Sequence, residues 1–370
     1  MLQARCALCI GLALSPLACG TSLREPVAPL TPPTELCTRE RTSKCRHPAQ
    51  IESWLRDPRL EILHATGTPA GKQGAKVLTV SVPHEDGRVV LRAKWRAHST
   101  AHQLNRPRKE IAAYAAQKLF LEPSDYVVPP TTGHCFELRH YRARVNRAER
   151  ASFEGITCVF GTLSYWLESA EDLDSAEDED LLPSESLLDE QLFAHNATYR
   201  RTLADLNLLS YLISHGDSHP AQFVFVGNQA APRVYLVDNT IAFSKFRNPS
   251  LPRDQDWSNV HVPALRSASV RRLRSLRFED IAELAVVEQY KRGDDCSSRV
   301  RRWSPCAVHA SGSRRLVPTR RTAPRGKTSD GLRWVEDDFQ VGLSEQEIAL
   351  VYQRVQSLVQ RLEGGLIATF

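Results

Sequence analysis

The side chains best suited to chemistry cluster between Asp205 and Phe246. There the chain runs Asp-Leu-Asn-Leu-Leu-Ser-Tyr-Leu-Ile-Ser-His-Gly-Asp-Ser-His-Pro-Ala-Gln-Phe-Val-Phe-Val, crosses a short loop, and continues Val-Tyr-Leu-Val-Asp-Asn-Thr-Ile-Ala-Phe-Ser. An amphipathic helix is expected to end at His215 and Gly216, and a polar loop then carries Asp217, His219 and Gln222. Two apolar runs, Phe223 to Val226 and Val234 to Val237, predict strands that flank a turn and present Asp238. Taken singly, either aspartate is an ordinary turn residue. Delivered to one place by a helix and two strands, the pair suits phosphoryl transfer. Asp217 would orient or deprotonate an acceptor hydroxyl, while Gln222 and Asp238 would hold a divalent metal on the phosphates. A hard cation takes oxygen ligands, which Asp238 offers as a carboxylate and Gln222 as a neutral amide.

The same residues carry a resemblance. His215-Gly-Asp217-Ser-His219-Pro-Ala-Gln222, followed by Val237-Asp238-Asn239-Thr240, resembles the catalytic loop and metal-binding segment of the protein-kinase-like superfamily. Within it, the pattern is most similar to the secretory-pathway atypical kinases of the Golgi casein kinase type. His-Gly-Asp-x-His-Pro is also similar to aminoglycoside phosphotransferases, and the Asp-Asn step to type II phosphatidylinositol 4-kinases. The chain departs from the pattern at Ser218, where a basic residue is expected, at Gln222 in place of Asn or Glu, and at Thr240 in place of the Gly after Asp-Asn. The resemblance implies a two-lobed α+β fold, with a β-rich N-lobe, a mostly helical C-lobe and a nucleotide cleft between them. It implies ATP or another nucleoside triphosphate as donor with Mg or Mn, Asp217 as base, and Asp238 with Gln222 as metal ligands.

Other elements must complete such a site. From Leu60 to Trp95 the sequence reads as a glycine-punctuated hairpin region, with Gly67, Gly71 and Gly74 in a loop, strands at Lys76 to Val82 and Val89 to Trp95, and a turn at Glu85-Asp86-Gly87. The loop has no Walker spacing around Lys72. Lys94 ends the second strand. In the kinase-like reading Lys94 bridges nucleotide phosphates and pairs with Glu110, which sits where the next helix begins. Asn105 is expected to cap that helix, with Pro107 in its first turn and Ile111, Tyr114, Ala115 and Lys118 at helical spacing. Arg92 competes with Lys94 for the same role, because the two share a face of the strand. Beyond Val127 to Thr131, strands are expected at His134 to Tyr141 and Ile156 to Phe160, and Gly161 to Trp166 would form the hinge to the second lobe. Helices are expected at Phe278 to Lys291 and at Ser344 to Glu363. The latter carries a Ser344/Glu347 capping box and an apolar stripe.

Toward the N-terminus, Arg5 precedes the apolar run Cys6 to Leu17, and Leu17-Ala18-Cys19-Gly20 has the form of a lipoprotein cleavage box with Cys19 as the lipidated residue. A plain cleaved signal peptide is the alternative. Either leader implies export, to the periplasm or as an outer-membrane or cell-surface lipoprotein. The expected organisation is a leader at 1–19, a tether at 20–50, an N-lobe at 51–166 and a C-lobe at 167–370. The C-lobe would carry an acidic insertion at 168–190 and a basic one at 295–330. Both charge runs are expected to be solvated loops. Net charge is only +5, which argues for neither nucleic acid nor an acidic substrate as partner. Beyond the leader, Cys37, Cys45, Cys135, Cys158, Cys296 and Cys306 are even in number and suit an oxidising compartment. Proximity pairs Cys37 with Cys45, Cys135 with Cys158 and Cys296 with Cys306, among many possible connectivities. Among these six no Cys-x-x-Cys pair points to zinc.

These readings leave distinct functions open. One is an exported, lipid-anchored atypical kinase that acts on a protein or small-molecule hydroxyl, its partners being a nucleotide, an acceptor the sequence does not name and the membrane. Another is a pseudokinase that keeps the fold as a binding scaffold. A third is a small-molecule phosphotransferase.

Overall fold

A central strand whose two faces do different work organises the N-terminal half. In the computed structural model, residues 35–370 are described apart from 69–73, 86, 101–104, 169, 173–185, 228–230, 253–254, 295–313 and 327. The leader with Cys19, Gly71, Lys72, Asp86, most of the acidic run, and Cys296 with Cys306 therefore lie outside the described residues. The chain from Thr31 to Phe370 packs as one unit.

Helix α1 (Pro48–Arg56) leads into β1 (Glu61–Gly67), β2 (Lys76–His84) and β3 (Gly87–Ala97). Alternation along β3 buries Val89, Leu91, Ala93, Trp95 and Ala97 on one face, which leaves Arg92, Lys94 and Arg96 on the other. Helix α2 (Arg108–Gln117), β4 (Thr131–Glu137), α3 (Leu138–Arg144) and β5 (Cys158–Tyr165) follow. The five strands form an antiparallel sheet in the order β1-β2-β3-β5-β4.

The expected strand at His134 to Tyr141 stops at Glu137, where Leu138 turns the chain into α3. The expected hinge is largely strand: β5 runs to Tyr165 because Gly161 to Tyr165 pair with Ala97 to Ala93. Gly161 also admits close packing, since a Cβ there would meet the Trp95 ring at 2.7 Å. Asn105 does not cap α2, whose N-cap position is Pro107 without a side-chain bond.

Strand β6 (Ala170–Asp172) is followed by α4 (Glu190–His195) and α5 (Ala197–Leu212). Asn196 caps α5 by accepting from the Thr198 and Tyr199 amides. This helix is buried on nearly all sides and carries the chain into the His215 loop. Strands β7 (Phe223–Val226) and β8 (Arg233–Leu236) pair antiparallel, with β6 on the outer side of β7.

After β9 (Ala264–Leu265) come α6 (Ser267–Ser275) and α7 (Phe278–Ala282). The helix expected over Phe278 to Lys291 thus ends early. Its second half is β10 (Glu288–Asp294), which pairs on both sides, with β11 (Arg314–Thr319) and β13 (Asp338–Val341). Strand β12 (Leu332–Val335) completes this four-stranded sheet. Part of the basic run is therefore ordered strand, because β11 pairs with β10 and sits against Cys135. The sheet packs on β4 and β5 through Phe160, Tyr290 and Phe339, whose rings lie 5.3 Å apart in two edge-on contacts.

Helix α8 (Glu345–Glu363) starts at the expected Ser344/Glu347 capping box and buries Ile348, Val351, Val355, Leu358 and Leu362. Strand β14 (Ala368–Thr369) then pairs with β9. The fold is mixed α and β, with an antiparallel sheet in the N-terminal region and the longest helices in the C-terminal part.

Disulfides join Cys37 to Cys45 and Cys135 to Cys158, with Cα atoms 4.9 and 5.5 Å apart. Residues 35–47, which by composition read as tether, are held to the body by charge pairs. Arg39 donates to Asp125 at 2.6 Å, and Glu40 accepts from Arg233 at 2.9 Å and from Arg201. Among the described residues no helix is long and apolar enough to cross a membrane.

Candidate active site

Three strands and a helix build one wall of a cavity of about 590 Å³, and the His215 loop with the β8 turn builds the other. Lys94, Glu110, Asp217, Gln222 and Asp238 all line it.

The upper wall starts from register. Lys94 on β3 lies opposite Ser164 on β5, which lies opposite Thr131 on β4. The Thr131 hydroxyl donates to Ser164 Oγ at 3.0 Å, and Ser164 Oγ donates to Glu110 Oε2 at 3.1 Å. The other oxygen of Glu110 accepts from Lys94 Nζ at 3.2 Å. Lys94 is thus the paired lysine, whereas Arg92 turns outward to Glu168. Helix α2 is fixed over the sheet by Arg108 and Lys109, both on Glu347 of α8. The Arg106 amide, just before α2, donates to the Thr240 carbonyl and ties the helix to the Asp238 turn.

Asp238 sits in the left-handed region at φ 56°, ψ 59°, which an aspartate tolerates better than most side chains. Its carboxylate is held by Lys94 Nζ at 3.4 Å, Arg96 at 3.1 Å and the Thr240 hydroxyl at 3.0 Å. Burial alone pushes the Asp238 carboxyl up, but Lys94, Arg96 and the Thr240 hydroxyl hold it well below the ordinary carboxylate range. Thr240 orients Asp238 directly, a role that glycine at this position lacks.

Asp217 is oriented from two sides. Asn248 Nδ2 donates to Oδ1 at 2.8 Å, and Gln222 Nε2 donates to Oδ2 at 3.2 Å. With its amide nitrogen committed, Gln222 presents Oε1 as a buried acceptor without a hydrogen-bond partner. Asn239 Oδ1 is a second such acceptor on the same wall. His215, directly before the loop, is buried with Nε2 3.4 Å from the Asp238 carbonyl, and burial pushes its pKa down.

Among the described residues no group of three His, Cys, Asp or Glu side chains stands ready as a metal site. The donors do fit a hard divalent cation that also takes phosphate oxygens, because Asp238 supplies a carboxylate and Gln222 and Asn239 supply amide oxygens that lack any other partner. Val128, Leu167, Leu236 and Trp166 also line the cavity, and apolar lining of this kind suits a flat ring.

Sequence reasoning did not single out Arg96, Asn239 or Asn248. Arg96 carried a usable signal, since it lies two residues after Lys94 on the same strand face. Asn239 belonged to the quoted Asp-Asn step without a role. Nothing local marked Asn248, which reaches Asp217 only through the fold.

The fold places this cavity between the five-stranded sheet and the segment that follows helix α5. Among solved structures that resemble it is Fam20 of hydra, solved with sugar, which is 14% identical over 85% of this chain and 88% of that chain at a TM-score of 0.45. Another is the golgi casein kinase, 12% identical over 86% of this chain and 76% of that one, also at 0.45. The sequence matches no protein-family model and no curated protein.

Proposed function

We propose that this chain is a metal-dependent phosphotransferase that moves a phosphoryl group from a nucleoside triphosphate, ATP being the first to test, to a hydroxyl on a protein or small molecule. The observation that carries the reading is the convergence of Lys94, Glu110, Asp217, Gln222 and Asp238 on one cavity that apolar residues also line. Lys94 and Arg96 are the cations that would bind phosphate oxygens, with Glu110 fixing the lysine. Asp238, Gln222 and Asn239 are the residues that would hold Mg or Mn. Bound there, the ion would neutralise charge on the phosphate oxygens. Asp217, steadied by Asn248, would accept the proton of the acceptor hydroxyl. Export and a lipid anchor at Cys19 belong to the same proposal, supported by the leader sequence and by the two disulfides.

One observation favours a second reading, a pseudokinase scaffold. Lys94 and Arg96 both rest on Asp238, so the carboxylate that would take metal is already neutralised by two cations. Calorimetric titration with ATP and Mg or Mn separates the two readings. For the enzyme, Asp238→Ala weakens metal-dependent nucleotide binding, whereas Asp217→Ala spares binding and lowers turnover by about a hundredfold to ten-thousandfold. A wild-type chain that binds no nucleotide with either ion overturns the enzyme reading.

A further inference from the structure

A second cavity, of about 460 Å³, is lined by α2 residues that follow Glu110. Its walls are α1, the Ile111, Tyr114 and Lys118 face of α2, the start of β10, and the chain leaving β11. The interior charges balance one another. Glu52 accepts from Lys118 at 2.6 Å and Tyr114 at 3.0 Å, and Arg56 donates to Glu288 at 3.0 Å. The mouth is different. The consecutive Arg320 and Arg321 line it and are exposed, as is Glu283. Arg321 gives one N–H to the Val286 carbonyl at 3.3 Å, and among the described residues Arg320 forms no hydrogen bond or ion pair. Two adjacent guanidinium forks without a carboxylate partner match a phosphate monoester. Glu288 is saturated by Arg56, Tyr290 and the Gly133 amide, whereas Glu52, with Arg56 alone on Oε1 and Lys118 and Tyr114 on Oε2, retains acceptor capacity for a hydroxyl donor.

We propose that this cavity is a second ligand site, for a hydroxylated phosphate ester of the sugar-phosphate class, and that its occupancy is coupled to the cleft. The phosphate rests on Arg320 and Arg321, and a hydroxyl faces Glu52. Coupling has a physical route. Thr131 lines both cavities and passes hydrogen bonds through Ser164 to Glu110 and on to Lys94, while α2 itself presents Glu110 to one cavity and Tyr114 to the other. The coupling half rests on the nucleotide reading above; the binding half does not.

Calorimetry on the full chain with glucose 6-phosphate and ribose 5-phosphate tests the site, with glucose and inorganic phosphate as partial probes. At least one ester is expected to bind, and Arg320→Ala/Arg321→Ala to weaken it by about tenfold or more. Lys94→Met, which disables the cleft instead, is expected to leave that affinity unchanged. No binding by either ester overturns the proposal, as does binding that survives the double arginine variant and disappears in Lys94→Met. Inorganic phosphate binding as tightly as the esters overturns the assignment of a hydroxyl to Glu52. In the wild type a saturating ester is expected to change nucleotide affinity by about threefold or more, and in the double variant not at all. If the ester binds and nucleotide does not, the phosphotransferase reading fails while the second site stands.

Discussion

Two hydrogen bonds decide where the Asp217 carboxylate points, and one of them comes from a residue outside its own loop. Asn248 is expected to act as a positioning residue. Asn248→Ala should lower turnover by about tenfold with nucleotide affinity unchanged, and Asn248→Asp should lower it further because a second carboxylate would face Asp217. Steady-state kinetics beside nucleotide titration checks both. Lys94, Glu110, Asp217 and Asp238 could be found in the sequence because each stands at a readable place, a strand end, a helix start or a turn after an apolar run. Asn248 could not, since its position follows from the path of the chain after β8.

A different single residue sets part of the acid response. His134 is buried on β4 with Nδ1 3.2 Å from the Leu55 carbonyl, and burial, with Arg315 nearby, pushes its pKa from the ordinary 6.5 down to about 3. Below 6.5 the unfolded chain therefore takes up a proton that the folded chain refuses. The contribution of His134 to stability is complete above that pH and falls by up to about 1.4 kcal/mol per unit as pH drops toward 3. Asp205 works in the opposite sense below pH 6, because burial raises its pKa to about 6. The effect of His134 is therefore read as a difference: between pH 6.5 and 5, urea denaturation of His134→Gln should show a shallower loss of stability than the wild type.

At the scale of elements, the junction between α5 and the Asp217 loop depends on a glycine that nothing else can replace. A Cβ on Gly216 would collide with the Phe246 carbonyl oxygen, and the Gly216 carbonyl accepts from the Asn248 amide at 2.7 Å. This close approach is what brings Asn248 to Asp217. Gly216→Ala is expected to lower stability by about 1–3 kcal/mol and to reduce turnover with it, as thermal denaturation and kinetics would measure. The elements themselves were legible where local pattern and tertiary surroundings agree. The capping box of α8, the alternation of β2 and β3 and the strand pair around Asp238 are of this kind. Residues 286–291 were misread because a helix-like start at Phe278 runs into Val286-Val287, and pairing on both edges draws Glu288–Asp294 into a sheet. Such pairing partners lie far along the chain and leave no local trace.

For the molecule as a whole, the disulfides act at two levels. Cys135–Cys158 closes a loop with a sequence separation of 23 across neighbouring strands of the main sheet. Replacing both residues with alanine is expected to cost about 3 kcal/mol, read as a lower denaturation midpoint. Cys37–Cys45 closes a separation of only 8 and shapes the segment that brings Arg39 to Asp125 and Glu40 to Arg233. Peptide mapping without reductant should recover both cross-linked pairs.

The sheet of β10 to β13 has a consequence for the order in which the protein can come into being. Strands β4 and β5 are made early, yet Phe160 is covered by Tyr290 and Phe339, and the Gly133 amide is satisfied by Glu288 at 2.6 Å. A ribosome therefore has to synthesise the chain as far as β13 before the sheet that carries Lys94 has its second face. Until then an apolar surface waits uncovered on the nascent chain, and contacts of such long sequence separation form slowly. Chains truncated between Ala285 and β13 should emerge as aggregates or as chaperone clients, and a shortened enzyme should not be recoverable from them.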